Sequence, residues 1–130
     1  MSNVMDNATP DDIRLAITVE SLYLANLLLA PALSYALLLW LHFGGRATAK
    51  PLARCHLAQV LRAGLLGVIL PLAATAYIVA SGGFNHLGAW IVAEVYIIFI
   101  HTPLILLGLT GLLKAMAGKP YVFLLIGKRC

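Results

Sequence analysis

Long apolar stretches separated by short polar segments are the main pattern in this chain. Ser21–Phe43 contains no Asp, Glu, Lys or Arg, and a helix of this length crosses a bilayer core of about 30 Å at about 1.5 Å per residue. A second charge-free stretch, Ala63–Ala93, is too long for one crossing, and the paired glycines within Ser81–His86 predict a turn inside it. The pattern therefore predicts an all-α membrane protein with three transmembrane helices, at about 21–43, 61–79 and 88–113.

The segments on either side of this transmembrane domain, 21–117, are shorter and more polar. Thr9 can cap a helix that begins at Pro10 and places two aspartates at its positive end. Residues 1–20 are therefore predicted to be a tail with a short amphipathic helix over 9–20. Residues 118–130 form a basic tail, and its apolar part, 121–126, is too short to cross. We expect that part at the membrane interface or packed back under the bundle.

Composition supports a membrane location. Hydrophobic residues make up 62% of the 130 residues and charged residues 11%, whereas soluble domains average about 25% charged residues. A domain this small could not bury so much apolar surface in its own core. The formal net charge of +4 does not indicate nucleic-acid binding, because the basic residues lie next to apolar spans.

The distribution of basic residues predicts an orientation. The membrane-proximal basic residues fall after the first and third spans: Arg46, Lys50, Arg54, Arg62, Lys114 and Lys119. By the positive-inside rule, the 44–55 loop and the C-terminus face the cytoplasm and the N-terminus lies outside, in a multi-pass protein of the bacterial inner membrane. Trp40 and Trp90 fall at span ends, where aromatic residues are common.

Three polar residues fall inside the predicted spans: Asn26, Glu94 and His101. Ionisable groups in a membrane are costly and suggest function. Glu94 could reach the outer headgroups, and Asn26 could bond to either of the other two. His101 could be a proton relay, a neutral bonded imidazole or a haem ligand. Together with His56 it could hold a b-type haem, which needs two facing imidazoles.

Small residues and prolines in the spans leave further alternatives open. Small residues recur at spacings of four, which allows close helix packing within the chain or against a partner: Ala30 and Ser34, Ala63 and Gly67, Gly111 and Ala115. Pro31, Pro71 and Pro103 are either ordinary membrane-helix prolines or marks of a discontinuous-helix transport site.

The sequence contains no catalytic or metal-binding motif. It has no Walker loop, no Gly-x-Ser-x-Gly and no His-Glu-x-x-His sequence. Cys55 and Cys130 lie far apart and neither belongs to a CxxC pair, which predicts neither disulfide pairing nor a structural zinc site. We expect no enzyme activity, no catalytic residues and no bound metal.

The order of several short segments carries a family resemblance. They are Pro31, Leu38-Leu39-Trp40-Leu41, the His56–Leu61 start of the second span, Leu113–Tyr121 with its Ala and Gly before a tyrosine, and Leu124–Lys128. This order resembles small bacterial membrane proteins of unknown function related to the Tic-twenty-like component of chloroplast protein import. The chain departs from that family in the second-span motif, where an Asn is usual and this chain has Arg62 or a neighbouring residue, and in lacking a Tyr-Pro pair in its tail. The resemblance implies a fold and a topology, and no catalytic residues.

These observations predict a non-enzymatic integral membrane protein, an accessory or scaffolding subunit of a larger inner-membrane complex. Its partners would be the lipid bilayer and other membrane-protein chains, with no nucleic acid and no cofactor. One alternative is a small redox anchor that binds haem b or quinone through His56 and His101. Another is a pore or carrier formed by oligomerisation.

Overall fold

The computed structural model describes residues 8–127, which fold into helices joined by short turns, with no strand among them. The helices are α1 (Pro10–Leu28), α2 (Pro31–Phe43), α3 (Pro51–Ala80), α4 (Leu87–Tyr96) and α5 (Thr102–Met116). A π-helical turn, Ile97–His101, joins α4 to α5, so Leu87–Met116 runs as one continuous helix. The predicted all-α class is confirmed.

The first helix starts as predicted but continues much further. The Thr9 hydroxyl accepts a hydrogen bond from the Asp12 backbone N–H at 3.3 Å, and Pro10 is the first helical residue. However, α1 runs to Leu28 and buries one side along its whole length, with Ala16 fully enclosed. The predicted amphipathic helix over 9–20 is therefore the first half of a central core helix.

The predicted first span, 21–43, is broken in the middle. Proline lacks an N–H and disfavours a helical conformation in the residue before it. Ala30, just before Pro31, accordingly has φ −142° and ψ 80°, and the chain reverses direction there. The second piece, α2, has 13 residues, about 20 Å, which is too short to cross a bilayer.

Within residues 8–127, two helices, not three, are long and apolar enough to span a membrane: Pro51–Ala80 and Leu87–Met116. Within the most apolar 18 residues of each helix, only 17% and 11%, respectively, are buried inside the chain. A core helix of a soluble protein would be mostly buried. The predicted spans at 61–79 and 88–113 fall inside these two helices.

Contacts along α1 fix how the helices run. Near its start, the Asp12 carboxylate accepts hydrogen bonds from the backbone N–H groups of Leu52 and Ala53, at 3.1 and 2.8 Å. Near its end, Leu27 lies against Gly67. Helix α1 is therefore parallel to α3. The Tyr23 hydroxyl donates to the Leu104 carbonyl at 3.0 Å, which places α1 against α5 as well.

One end of the bundle, which we call the charged end, comprises the start of α1, the 44–50 loop and the end of α5. The 81–86 turn forms the other end. The prediction that residues 9–20 begin on the opposite side from the 44–55 loop does not fit this arrangement, because Asp12 caps the N-terminus of α3 directly. Residues 1–7 lie outside the described range.

The C-terminal segment packs back into the bundle. Phe123 is 1% exposed, with its ring 5.6 Å from that of Tyr23, and its N–H donates to the Gln59 side-chain oxygen at 3.4 Å. Cys55, on α3 beside this segment, is disulfide-bonded, so the prediction of no disulfide pairing is wrong at this residue. Cys130, like the rest of 128–130, lies outside the described residues.

The contact between α1 and α3 yields a stability prediction. A Cβ at Gly67 would lie 2.7 Å from Leu27 Cδ2, so Gly67→Leu should force the two helices apart. Overpacking of this kind costs about 1–3 kcal/mol, and we expect a lower thermal midpoint in detergent. Ala73→Leu on the exposed surface of α3 is the matched control. Equal midpoints for the two variants would show that α1 does not pack here.

Candidate functional site

Two buried ionisable side chains face each other between α1 and α3, in the half of the bundle near the charged end. Glu20 on α1 and His56 on α3 are both 0% exposed, and Glu20 Oε1 lies 2.6 Å from His56 Nδ1. Burying a lone charge is costly, so two such groups are buried stably only as a pair. We call them the Glu20–His56 pair.

The second ring nitrogen of His56 determines how many protons the pair carries. His56 Nε2 lies 3.0 Å from the Lys119 backbone carbonyl oxygen. A carbonyl can only accept a hydrogen bond, so Nε2 carries a hydrogen. The remaining proton lies between Nδ1 and Oε1. The pair is therefore either an imidazolium with a carboxylate or a neutral imidazole with a carboxylic acid.

Helix α5 closes the site from the third side. A Cβ at Gly111 would lie 2.6 Å from both Glu20 carboxylate oxygens, so glycine provides the space the carboxyl group occupies. The second oxygen, Glu20 Oε2, is buried and has no hydrogen-bond partner among the described residues. The site is thus tightly enclosed but not fully hydrogen-bonded.

Burial is the main influence on the acidity of this carboxyl group. Glu20 lies in α1, outside both candidate spans, and desolvation raises its pKa. The hydrogen bond and the charge of His56 act in the opposite direction. Desolvation is the larger effect, so the pKa of Glu20 stays above its ordinary value despite the contact with His56.

The haem b alternative does not fit this geometry. Both imidazole nitrogens of His56 are already hydrogen-bonded, so neither is open to iron. His101 Nδ1 is 3.2 Å from the Tyr96 hydroxyl. The pair meets α5 at Gly111, ten residues or about 15 Å of helix from His101. The two histidines do not face each other across a common cavity.

The other predicted polar residues lie apart from the pair. Asn26 is buried, and its amide donates to the Gly64 carbonyl at 3.4 Å, not to Glu94 or His101. Glu94 is exposed on α4 and His101 is half-buried. The structure therefore does not bring the three predicted intramembrane polar residues together.

The predicted packing and basic residues also have clear positions. Most of the small residues are buried inside the chain, with Ala30 half-buried: Ser34, Ala63, Gly67, Gly111 and Ala115. They serve contacts of α1 and α2 with α3 and of α1 with α5. The basic residues are exposed, apart from half-buried Lys50: Arg46, Arg54, Arg62, Lys114 and Lys119.

Glu20 is not among the predicted site residues, because it falls in the 1–20 segment that is predicted to be a tail. A signal was present nonetheless. Glu20, Tyr23 and Asn26 recur at spacings of three and share a helix face. A polar face that continues into an apolar stretch indicates a helix buried among others rather than one lying on a surface.

Comparison with known proteins finds no matching family model, no matching curated protein and no matching solved structure. The resemblance to Tic-twenty-like proteins stays a prediction. The chemical interpretation of the Glu20–His56 pair is therefore based on the residues of this chain alone.

The buried carboxyl group yields a prediction about pH. In His56→Leu, Glu20 loses the partner that favours its ionised form, so its folded-state pKa should rise further above the ordinary value of 4.5. The folded protein then holds a proton that the unfolded chain releases, so stability falls as pH rises from the ordinary pKa of 4.5 through the raised folded-state pKa, by at most about 1.4 kcal/mol per pH unit. Thermal midpoints in detergent across this range measure the effect.

The matched control is the double variant Glu20→Gln, His56→Leu, which lacks the titrating group. Its stability should change less with pH than that of His56→Leu. Parallel pH profiles for the two variants would show that Glu20 is not the group responsible.

Proposed function

We propose that this chain is a non-enzymatic integral membrane protein that serves as an accessory or scaffolding subunit for other membrane-protein chains. The observation that carries the proposal is the exposed apolar hairpin formed by residues 68–96, which we call the outer hairpin. Helix α1 reaches only to the level of Gly67. Beyond it, α3 and α4 pack mainly on each other, and Leu72, Val79 and Ile91 are exposed by 64, 70 and 51%.

A groove in the outer hairpin favours a protein partner. It encloses about 250 Å³ between α3 and α4, and its lining is apolar: Leu70, Ala74, Ile91, Val92, Val95, Tyr96 and Ile100. In lipid, apolar surface alone gives no net drive for helix association, so close packing must supply it. A concave surface of this kind lets a side chain from another helix pack closely.

Glu94 indicates the chemistry of that partner. It is exposed on α4 beside Ile91 and Val95, and three- and four-residue spacings place these side chains on one helix face. An ionisable group facing lipid is costly. A partner helix that brings a Lys, an Arg or a hydrogen-bond donor to the depth of Glu94 would offset this cost.

The Glu20–His56 pair supports a structural rather than a catalytic role. It is fully buried between α1, α3, α5 and the C-terminal segment. A substrate would need a route to the carboxyl group, and both residues are 0% exposed. The pair instead fixes α1 and the C-terminal segment onto α3, which gives the outer hairpin a rigid base.

For orientation, we propose that the charged end faces the cytoplasm of the bacterial inner membrane and the 81–86 turn faces outside. Support comes from Arg46, Lys50, Lys114 and Lys119 at the charged end, against no full charge in the turn. The disulfide at Cys55 favours the opposite orientation, because disulfides persist mainly in oxidising compartments. Labelling from either side of the membrane decides between them.

The partner proposal predicts position-specific crosslinking in cells. A photo-crosslinking residue at Ile91 should give a discrete adduct with another membrane protein. The same residue at Leu113, which is also exposed, should give mainly lipid adducts. Glu94→Leu should weaken the Ile91 adduct and leave the fold intact, because the Glu94 side chain is exposed. If the protein adducts at Ile91 are no stronger than those at Leu113, the proposed partner does not bind the outer hairpin.

The orientation proposal predicts which residues a membrane-impermeant thiol reagent can reach. Phe84→Cys, in the outer turn, should react in intact cells. Arg46→Cys, at the charged end, should react only after the membrane is permeabilised. The parent chain reports any labelling of the native cysteines. The reverse pattern would place the charged end outside, in agreement with the disulfide at Cys55.

A further inference from the structure

A second cavity lies at the charged end, between α1 and the loop after α2. It encloses about 340 Å³, and its lining combines charged, polar and apolar side chains: Asp11, Arg14, Leu15, Thr18, Leu41, Arg46 and Lys50. We call it the basic groove. Three cations against one carboxylate leave it with a net positive charge. Neither the Glu20–His56 pair nor the outer hairpin takes part in it.

The cations come from two separate parts of the chain. Arg14 projects from the second turn of α1, whereas Arg46 and Lys50 lie in the loop that returns from α2 to α3. The Asp12 side chain holds these parts together through its hydrogen bonds to the start of α3. The groove thus depends on the fold-back of α1 and α2 and is not a run of neighbouring lysines.

Its surroundings indicate a ligand that is both anionic and apolar. Leu15 and Leu41 form part of the lining. Next to Leu41, helix α2 exposes an apolar surface that includes Leu33, Leu37 and Trp40, with exposures of 65, 41 and 61%. Tryptophan near basic residues is typical of the membrane interface. A phosphate in the groove would therefore have a surface for acyl chains beside it.

We infer that the basic groove binds the headgroup of an anionic phospholipid, with the acyl chains along α2. Arginine forms paired hydrogen bonds to phosphate oxygens, and lysine adds a compact charge. Basic pockets on the cytoplasmic side of membrane proteins are suited to such headgroups. This inference rests on the proposed membrane location and adds a specific lipid to it.

The test uses the purified full chain in detergent, with retention of phosphatidylglycerol and of phosphatidylcholine measured by native mass spectrometry. The wild type should retain phosphatidylglycerol preferentially. A basic residue beside an anionic lipid is worth about a fivefold change in affinity, so Arg46→Gln with Lys50→Gln should weaken binding about 25-fold. The matched control, Arg54→Gln with Arg62→Gln, removes the same charge from exposed positions on α3 outside the groove and should change binding less than twofold.

A further variant that should increase binding distinguishes a loss of lipid contacts from a loss of folding. Asp11→Asn removes the one carboxylate of the groove and should strengthen phosphatidylglycerol binding about fivefold, a gain that an unfolded protein would not show. Equal losses in the two double variants would overturn the inference, because net charge alone would then explain binding. Displacement of the lipid by millimolar inorganic phosphate would also overturn it and indicate a site for free phosphate.

Failure of this inference and failure of the proposed function give different results. If the chain integrates into membranes and crosslinks at Ile91 but retains the two lipids equally, only the basic groove has been misassigned. If the chain does not integrate into membranes, the membrane proposal fails first.

Discussion

Burial of polar groups along α1 is the constraint on which the rest of this structure depends. From its start to its end, α1 carries Asp12, Glu20, Tyr23 and Asn26 on buried positions. Each bonds to a different level of α3 or α5. An unpaired buried polar group costs about 1–3 kcal/mol. Sliding α1 by one turn would break all of these bonds together, so they fix its register more sharply than apolar contacts could.

The same constraint explains the uneven shape of the bundle. Because Asp12 binds at the start of α3, α1 ends at Leu28, beside Gly67 in the middle of α3. Pro31 then turns the chain back toward the charged end. Residues 8–43 thus cover the parts of α3 and α5 nearest the charged end and leave the outer hairpin uncovered. A polar core at one end and an exposed apolar hairpin at the other arise from a single chain reversal.

The sequence allowed the helices to be predicted more reliably than their arrangement. The Thr9 cap, the 81–86 turn and the two long apolar helices all follow from local signals: a capping side chain, paired glycines and uninterrupted hydrophobicity. Pro31 is evident in the sequence, but proline also occurs inside continuous helices, as Pro71 does in α3. Whether a proline bends or ends a helix depends on the residues that pack around it. Hydropathy along the chain carries no information about that packing.

The candidate site was harder to predict for a related reason. Glu20 and His56 are 36 positions apart, and nothing local connects an acid at the edge of one apolar stretch with a histidine before another. Ranking ionisable groups by their depth within predicted spans pointed to Glu94 and His101, which lie on exposed or half-buried surface. Burial by other helices, rather than depth in an apolar stretch, determines which ionisable groups must pair.

The charged end and the outer hairpin present different kinds of surface to a ligand. At the charged end, the Asp12 carboxylate joins α1 to the start of α3 by two hydrogen bonds, and the basic groove combines charges from α1 and the 44–50 loop. Such a surface can distinguish ligands by charge and geometry. The outer hairpin is mainly apolar, so in the proposed function its selectivity for a partner would come from close packing and from a polar contact at the depth of Glu94. In the proposed arrangement, the basic groove and the groove of the outer hairpin share no lining residue, so a headgroup at one end would not exclude a helix at the other.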